Sequence, residues 1–216
     1  MEIADLNDAL TMEQEPPEAA GLFGVQIDGA RQFADDLGRR GEELGLIGPL
    51  EPARLWTRHI VNSALVAPLL RPGLVGDVGT GAGLPGIVLA IARPDVEFVL
   101  IEPMERRVAW LEEQVVSLKL QNVRIERARA EDVAQKYVLD QVTARAVSAF
   151  AKLIPLTVPM VRTGGELVLM KGANAEREVE AASKAIRKYH LEDVEVLVLG
   201  EGAVREPTRV IRARVE

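Results

Sequence analysis

The sequence predicts an α/β fold: a mostly parallel, seven-stranded sheet with a terminal antiparallel strand pair, preceded by a helical segment. Three observations lead there. From Leu74 onward, short apolar runs alternate with stretches of helical periodicity, as in parallel strands joined by helical crossovers. Near the end, VEVLVLG and RVIRARV are separated only by a short connection, about 201–208, which is too short for a crossover helix and calls for antiparallel pairing. Between the first apolar run and its helix lies DVGTGAGLPG (Asp77–Gly86), at the strand end where open α/β sheets bind ligands.

Taken in order, residues 1–20 hold six acids, no base and the pair Pro16-Pro17, which predicts a mobile acidic tail. Residues 21–73 form a helical preface. Phe23, Ile27, Ala30, Phe33, Ala34 and Leu37 recur at helical spacing, GLIGPLEP (45–52) breaks the chain, and a second helix is expected over 53–70. Residues 74–216 form the main domain. LVGDVGT is its first strand, 85–92 a helix, and VEFVLIE (96–102) the second strand. The next helix aligns Val108, Leu111, Val115 and Leu118 on one face. VRIERA is a third strand, 141–147 a fourth and ELVLMKG a fifth, with a helix over 174–189 before the final pair.

Composition removes several kinds of chemistry. With no cysteine there are no disulfides, thiol nucleophiles or cysteine-ligated metals. His59 and His190 are the only histidines and are far apart, so no resident metal is expected. The N-terminus is acidic where a signal peptide would be basic, and the longest uncharged run (78–92) is broken by glycines and a proline. A cytoplasmic protein with no membrane partner is expected. The net charge of −7 argues at first against a nucleic-acid partner, but six acids lie in the first twenty residues and the remainder is nearly neutral. Bases cluster at Arg106, Arg107, Lys119, Arg124, Arg127 and Arg129, and again at Arg205, Arg209, Arg212 and Arg214; such runs are ordinarily solvated faces.

The glycine stretch admits two readings. Its tail, GAGLPG, fits the G-x-G-x-x-G of Rossmann-type dinucleotide sites; the whole string is D-x-G-x-G-x-G, with Asp77 before Gly79, Gly81 and Gly83. Both readings want an acid ending the second strand to bind ribose hydroxyls, and Glu102 stands there. Three features favour S-adenosylmethionine over a nicotinamide dinucleotide. Asp77 would repel a pyrophosphate and attract the amino group and sulfonium. Glu131 and Asp132 follow the third strand, where an adenine would lie, although acids there also suit the first turn of a helix. The terminal antiparallel pair suits the Rossmann-like class I methyltransferase sheet, whereas common dehydrogenase sheets are parallel throughout.

RHIVNS (58–63), GDVGTGAGLPGIVLA (76–90), RARAED (127–132), TARAVS (143–148) and LMKG (169–172) resemble the RsmG family, also called GidB, over about residues 30–215. The stretch GEELGLIGPLEP departs from the family's W-N-x-x-x-N-L-T. The resemblance implies an S-adenosylmethionine-dependent guanine-N7 methyltransferase acting on the 530 loop of 16S rRNA, with the RNA or the 30S subunit as partner. It implies cofactor contacts from Gly79, Leu84, Ala130 and Glu131, a ribose contact from Glu102, and a contact of Arg145 with cofactor or target.

Guanine N7 carries no proton, so its methylation needs no general base, and alignment and electrostatics must supply the catalysis. The Asn- or Asp-Pro-Pro-aromatic loop common in enzymes that methylate exocyclic amino groups is replaced here by ARAVSAF. Arg145 and Lys171 are the candidate catalytic residues: Arg145 has a structural ion pair as its alternative, and Lys171, ending the fifth strand at the same rim, is placed for a phosphate or base contact. Phe150 is the nearby aromatic that could stack on an extruded base. His59 reads as a hydrogen-bonded packing residue, and Trp56, Trp110 and His190 read as core or surface. The competing functions are a nicotinamide-dependent oxidoreductase and a non-catalytic RNA-binding module that retains the cofactor fold.

Overall fold

The structure, a computed structural model, describes residues 12–134 and 136–216. Seven strands form one sheet: β1 (Leu74–Val78), β2 (Glu97–Ile101), β3 (Val123–Glu126), β4 (Leu139–Arg145), β5 (Val161–Lys171), β6 (Leu191–Leu199) and β7 (Thr208–Val215). Their order is β3-β2-β1-β4-β5-β7-β6. The first five run parallel, and β7 inserts antiparallel between β5 and β6. The antiparallel strand at this position agrees with the sheet expected from the sequence and not with one that is parallel throughout.

Both faces of the sheet are covered, so the central strands are largely buried, with Asp77 on β1 and Gln141 and Thr143 on β4 as buried polar exceptions. Alternate residues of β2 supply different cores: Phe98 and Leu100 face one hydrophobic cluster, Val99 and Ile101 the other. Helices α1 (Glu18–Phe23) and α2 (Ile27–Arg40) bury Phe23, Phe33 and Leu37 in the same cluster as Leu100.

The structure departs from the sequence expectations at three places. Residues 12–20, expected within a mobile tail, pack on the body: the Glu13 amide donates to Pro52 O at 2.8 Å, the Thr57 amide donates to the Glu13 carboxylate at 2.9 Å, and α1 begins at Glu18. The rest of that expectation, residues 1–11, lies outside the described residues. The second helix is not continuous: a 3₁₀ turn at Pro52–Arg54 leads into a π-helical segment, Trp56–Val61, then α3 (Asn62–Ala64) and a 3₁₀ turn at Ala67–Leu69. Pro68 has no amide to continue the ladder, and π segments of this kind gather at functional sites. The last crossover is likewise two short helices, Ala175–Ala181 and Ser183–Lys188.

Candidate functional site: a glycine turn beside a basic cavity

Strand register brings the predicted residues to one rim. Val78 pairs with Ile101 and Ala144, Ile101 with Glu126, and Arg145 with Met170, so the carboxyl ends of β1 to β5 lie in a row. The glycine turn leaves β1 at this rim and leads into α4 (Gly86–Ala92). Gly81 has φ +61°, and a Cβ built on it would meet nothing closer than 3.8 Å, so this position combines a left-handed backbone with open space for a ligand. Gly86 is closed instead, since a Cβ there would lie 2.3 Å from Leu100 and 2.6 Å from Asp77 Oδ2.

Two carboxylates hold the turn from opposite sides. Asp77 is fully buried: Oδ2 accepts the Gly86 amide at 2.8 Å, and Oδ1 accepts the Thr143 hydroxyl at 3.1 Å. Burial pushes its pKa up to about 6 against these hydrogen bonds. Glu102, also buried, accepts the amides of Gly81 at 3.1 Å and Met104 at 3.0 Å, with Arg107 Nη1 at 3.6 Å. From α5 (Glu105–Ser117), the Trp110 indole donates to Ala82 O at 3.0 Å.

Next to the turn lies a cavity of 620 Å³ lined by residues including Arg58, His59, Arg145, Val147, Lys171 and Arg209. Val147 joins the two features, since a Cβ on Gly79 would meet its side chain at 2.8 Å. Arg145, carried out of β4, donates to His59 Nδ1 at 2.8 Å and to Arg58 O at 3.3 Å. Burial lowers its pKa to about 10, leaving it charged at neutral pH. Lys171, 6% exposed, directs its ammonium to Ser148 O at 2.7 Å and to Glu178 at 2.9 Å. The same Glu178 oxygen accepts the Phe150 amide at 2.7 Å, so this pair fixes the loop between β4 and α7 (Phe150–Thr157).

A model of the family GidB, rRNA small subunit methyltransferase G, matches residues 26–207. The chain belongs to the GidB family. A ribosomal RNA small subunit methyltransferase G of Clavibacter michiganensis is 77% identical to this GidB chain over 96% of it and 99% of the relative. That of Corynebacterium glutamicum is 44% identical over 93% of this chain and 92% of the relative. Among solved structures, M. jannaschii TYW2 in complex with AdoMet aligns with TM-score 0.60 at 25% identity, over 75% of this chain and 78% of its own. An SAM-dependent O-methyltransferase of Thermotoga maritima aligns with TM-score 0.57 at 16% identity, over 77% and 70% of the two chains.

Within the GidB chain, the structure redistributes the expected roles. Gly79, Gly81, Gly83 and Leu84 form the turn, while Asp77 lies behind it, its oxygens held by Gly86 and Thr143. Ala130 and the exposed Glu131 open α6 (Ala130–Val133), one strand beyond Glu102 along the rim. Lys171 is engaged in holding a loop. Phe150 is wholly buried and cannot stack on a base, because the loop turns it into the core to start α7. Sequence reasoning missed Trp110, Thr143, Val147 and Glu51. Glu51 Oε2 lies 2.5 Å from His59 Nε2, in the stretch where the chain departs from its family's pattern. Among the described residues, no cluster of His, Cys, Asp and Glu could hold a metal, and no helix is long and apolar enough to cross a membrane.

Proposed function

We propose that this GidB chain transfers a methyl group from S-adenosylmethionine to N7 of a guanine in the 530 loop of 16S rRNA. The carrying observation is that Val147 sits so close over Gly79 that a Cβ there would lie 2.8 Å from it, which sets a basic cavity of nucleotide size beside the glycine turn.

The residues at the turn fit the cofactor. Gly81 leaves room for close approach, and the Glu102 carboxylate stands where ribose hydroxyls would donate to it. Ala130 and Glu131 bound the adenine end in this reading. When bound, S-adenosylmethionine supplies an activated methyl group on a sulfonium.

The protein's own residues align and balance charge. Arg145 presents fixed donors at the cavity wall, suited to a guanine O6 or a phosphate oxygen of the target. Asp77, ionised above about pH 6, places a negative charge behind the turn and favours the cationic groups present before and after transfer. Lys171 and Glu178 hold the loop that carries Val147. No residue is required to remove a proton. The reading places the protein in the cytoplasm with the small ribosomal subunit.

The test is transfer of radiolabelled methyl from S-adenosylmethionine to unmethylated 30S subunits and to naked 16S rRNA, with the modified base mapped. Label on one guanine N7 is expected, and the better substrate identifies what is recognised. Cofactor binding with no label in either substrate would leave the non-catalytic RNA-binding module.

A further inference from the structure

We propose that Glu51 and His59 form a relay that positions Arg145 at the cavity wall, so that the segment preceding the sheet completes the methyl-transfer site. The inference rests on the reading of that cavity as the target-nucleotide site.

The hydrogen-bond directions follow from chemistry. A guanidinium can only donate. Arg145 Nη2 lies 2.8 Å from His59 Nδ1, so Nδ1 must present its lone pair. The neutral ring then carries its proton on Nε2, which lies 2.5 Å from Glu51 Oε2 and donates to it. The carboxylate selects the tautomer, and the tautomer provides the acceptor that holds the arginine. Burial, reinforced by Arg145, lowers the His59 pKa to about 4, which keeps the ring neutral at physiological pH. Burial alone would raise the Glu51 pKa, but hydrogen bonds from Arg54 and His59 outweigh it and keep the group ionised.

The spacing has a functional sense. Among the described residues, Arg145 has no carboxylate within 4.0 Å, whereas Arg58, Arg107 and Arg209 each do. A carboxylate in direct contact would fix Arg145 and also quench its field. An imidazole between them fixes the guanidinium through a neutral acceptor and leaves its charge to act on the cavity. The π-helical segment aims both Arg58 O and His59 at Arg145, and the 3₁₀ turn starting after Glu51 places the acid against the ring.

The relay is tested with Glu51→Gln, His59→Asn and His59→Gln in the full chain. Asn can supply an acceptor in place of Nδ1, whereas Gln reaches only the Nε2 position. With 30S subunits, Glu51→Gln should lower kcat about tenfold, with KM and S-adenosylhomocysteine affinity within about twofold of wild type. His59→Asn should retain more activity than His59→Gln, and adding Glu51→Gln to His59→Gln should cost nothing further. Long-range ¹H–¹⁵N NMR of His59 should show the Nε2–H tautomer in wild type and a mixture in Glu51→Gln, a readout independent of methyl transfer. The relay is overturned by wild-type kcat in Glu51→Gln, by equal activity of the two His59 variants, or by an Nδ1–H tautomer in wild type. Absence of labelling by wild type with the expected tautomer would instead overturn the functional reading.

Discussion

The Trp110 indole donates to the carbonyl of Ala82 at 3.0 Å, tying α5 to the glycine turn from beneath. Helix α5 follows β2, so a single hydrogen bond couples the second crossover to the loop of the first. Trp110→Phe keeps the ring but leaves the Ala82 carbonyl buried without this donor. We expect a stability loss of about 1–3 kcal/mol by urea unfolding and a severalfold loss of S-adenosylhomocysteine affinity by calorimetry. Unchanged affinity would show that the turn keeps its shape without the indole.

Glu102 accepts the Gly81 and Met104 amides, and in the proposed function it also faces the cofactor ribose. Glu102→Ala should weaken S-adenosylmethionine binding at least tenfold, because charge-assisted hydrogen bonds contribute about 1.5–3 kcal/mol. Unchanged calorimetric affinity would refute the ribose role.

Arg145→Ala should depress turnover on 30S subunits by at least tenfold while circular dichroism and the unfolding midpoint remain close to wild type. The residue packs on His59 and the Arg58 carbonyl at the cavity wall, outside the sheet core. Wild-type turnover in this variant would remove Arg145 from the site.

Asp77 makes stability depend on pH in an unusual direction for a carboxylate. Its pKa rises on folding from 3.8 to about 6, so the native state holds the proton more tightly than the unfolded chain. That contribution is fully present below about pH 3.8 and is lost as pH rises through about 6. Asp77→Asn removes the titration. In urea titrations, wild type should gain stability relative to the variant as pH falls from about 6 to about 4. A constant difference across that window would show that Asp77 stays ionised in the fold.

Much of the site was legible because its signals are local. Periodicities of two and 3.6 residues located the strands and helices, and the short link between the last two strands required an antiparallel pair. The glycine turn and Glu102 sit at strand ends that the motif itself marks. The second preface helix is less legible, since helical spacing alone does not reveal the π-helical segment at Trp56–Val61.

The sequence by itself determined the sheet, the rim and the family, because strand periodicity, turn glycines and motif spacing are properties of neighbouring residues. Only the tertiary structure decided what the side chains do at that rim. Asp77 turned inward because Gly86 and Thr143 offer it donors in the core, and Phe150 because the next helix starts with it inside. Glu51, His59 and Arg145 met because a packed preface brings residues 86 positions apart within 2.8 Å. Such contacts depend on how elements pack, which no local pattern encodes.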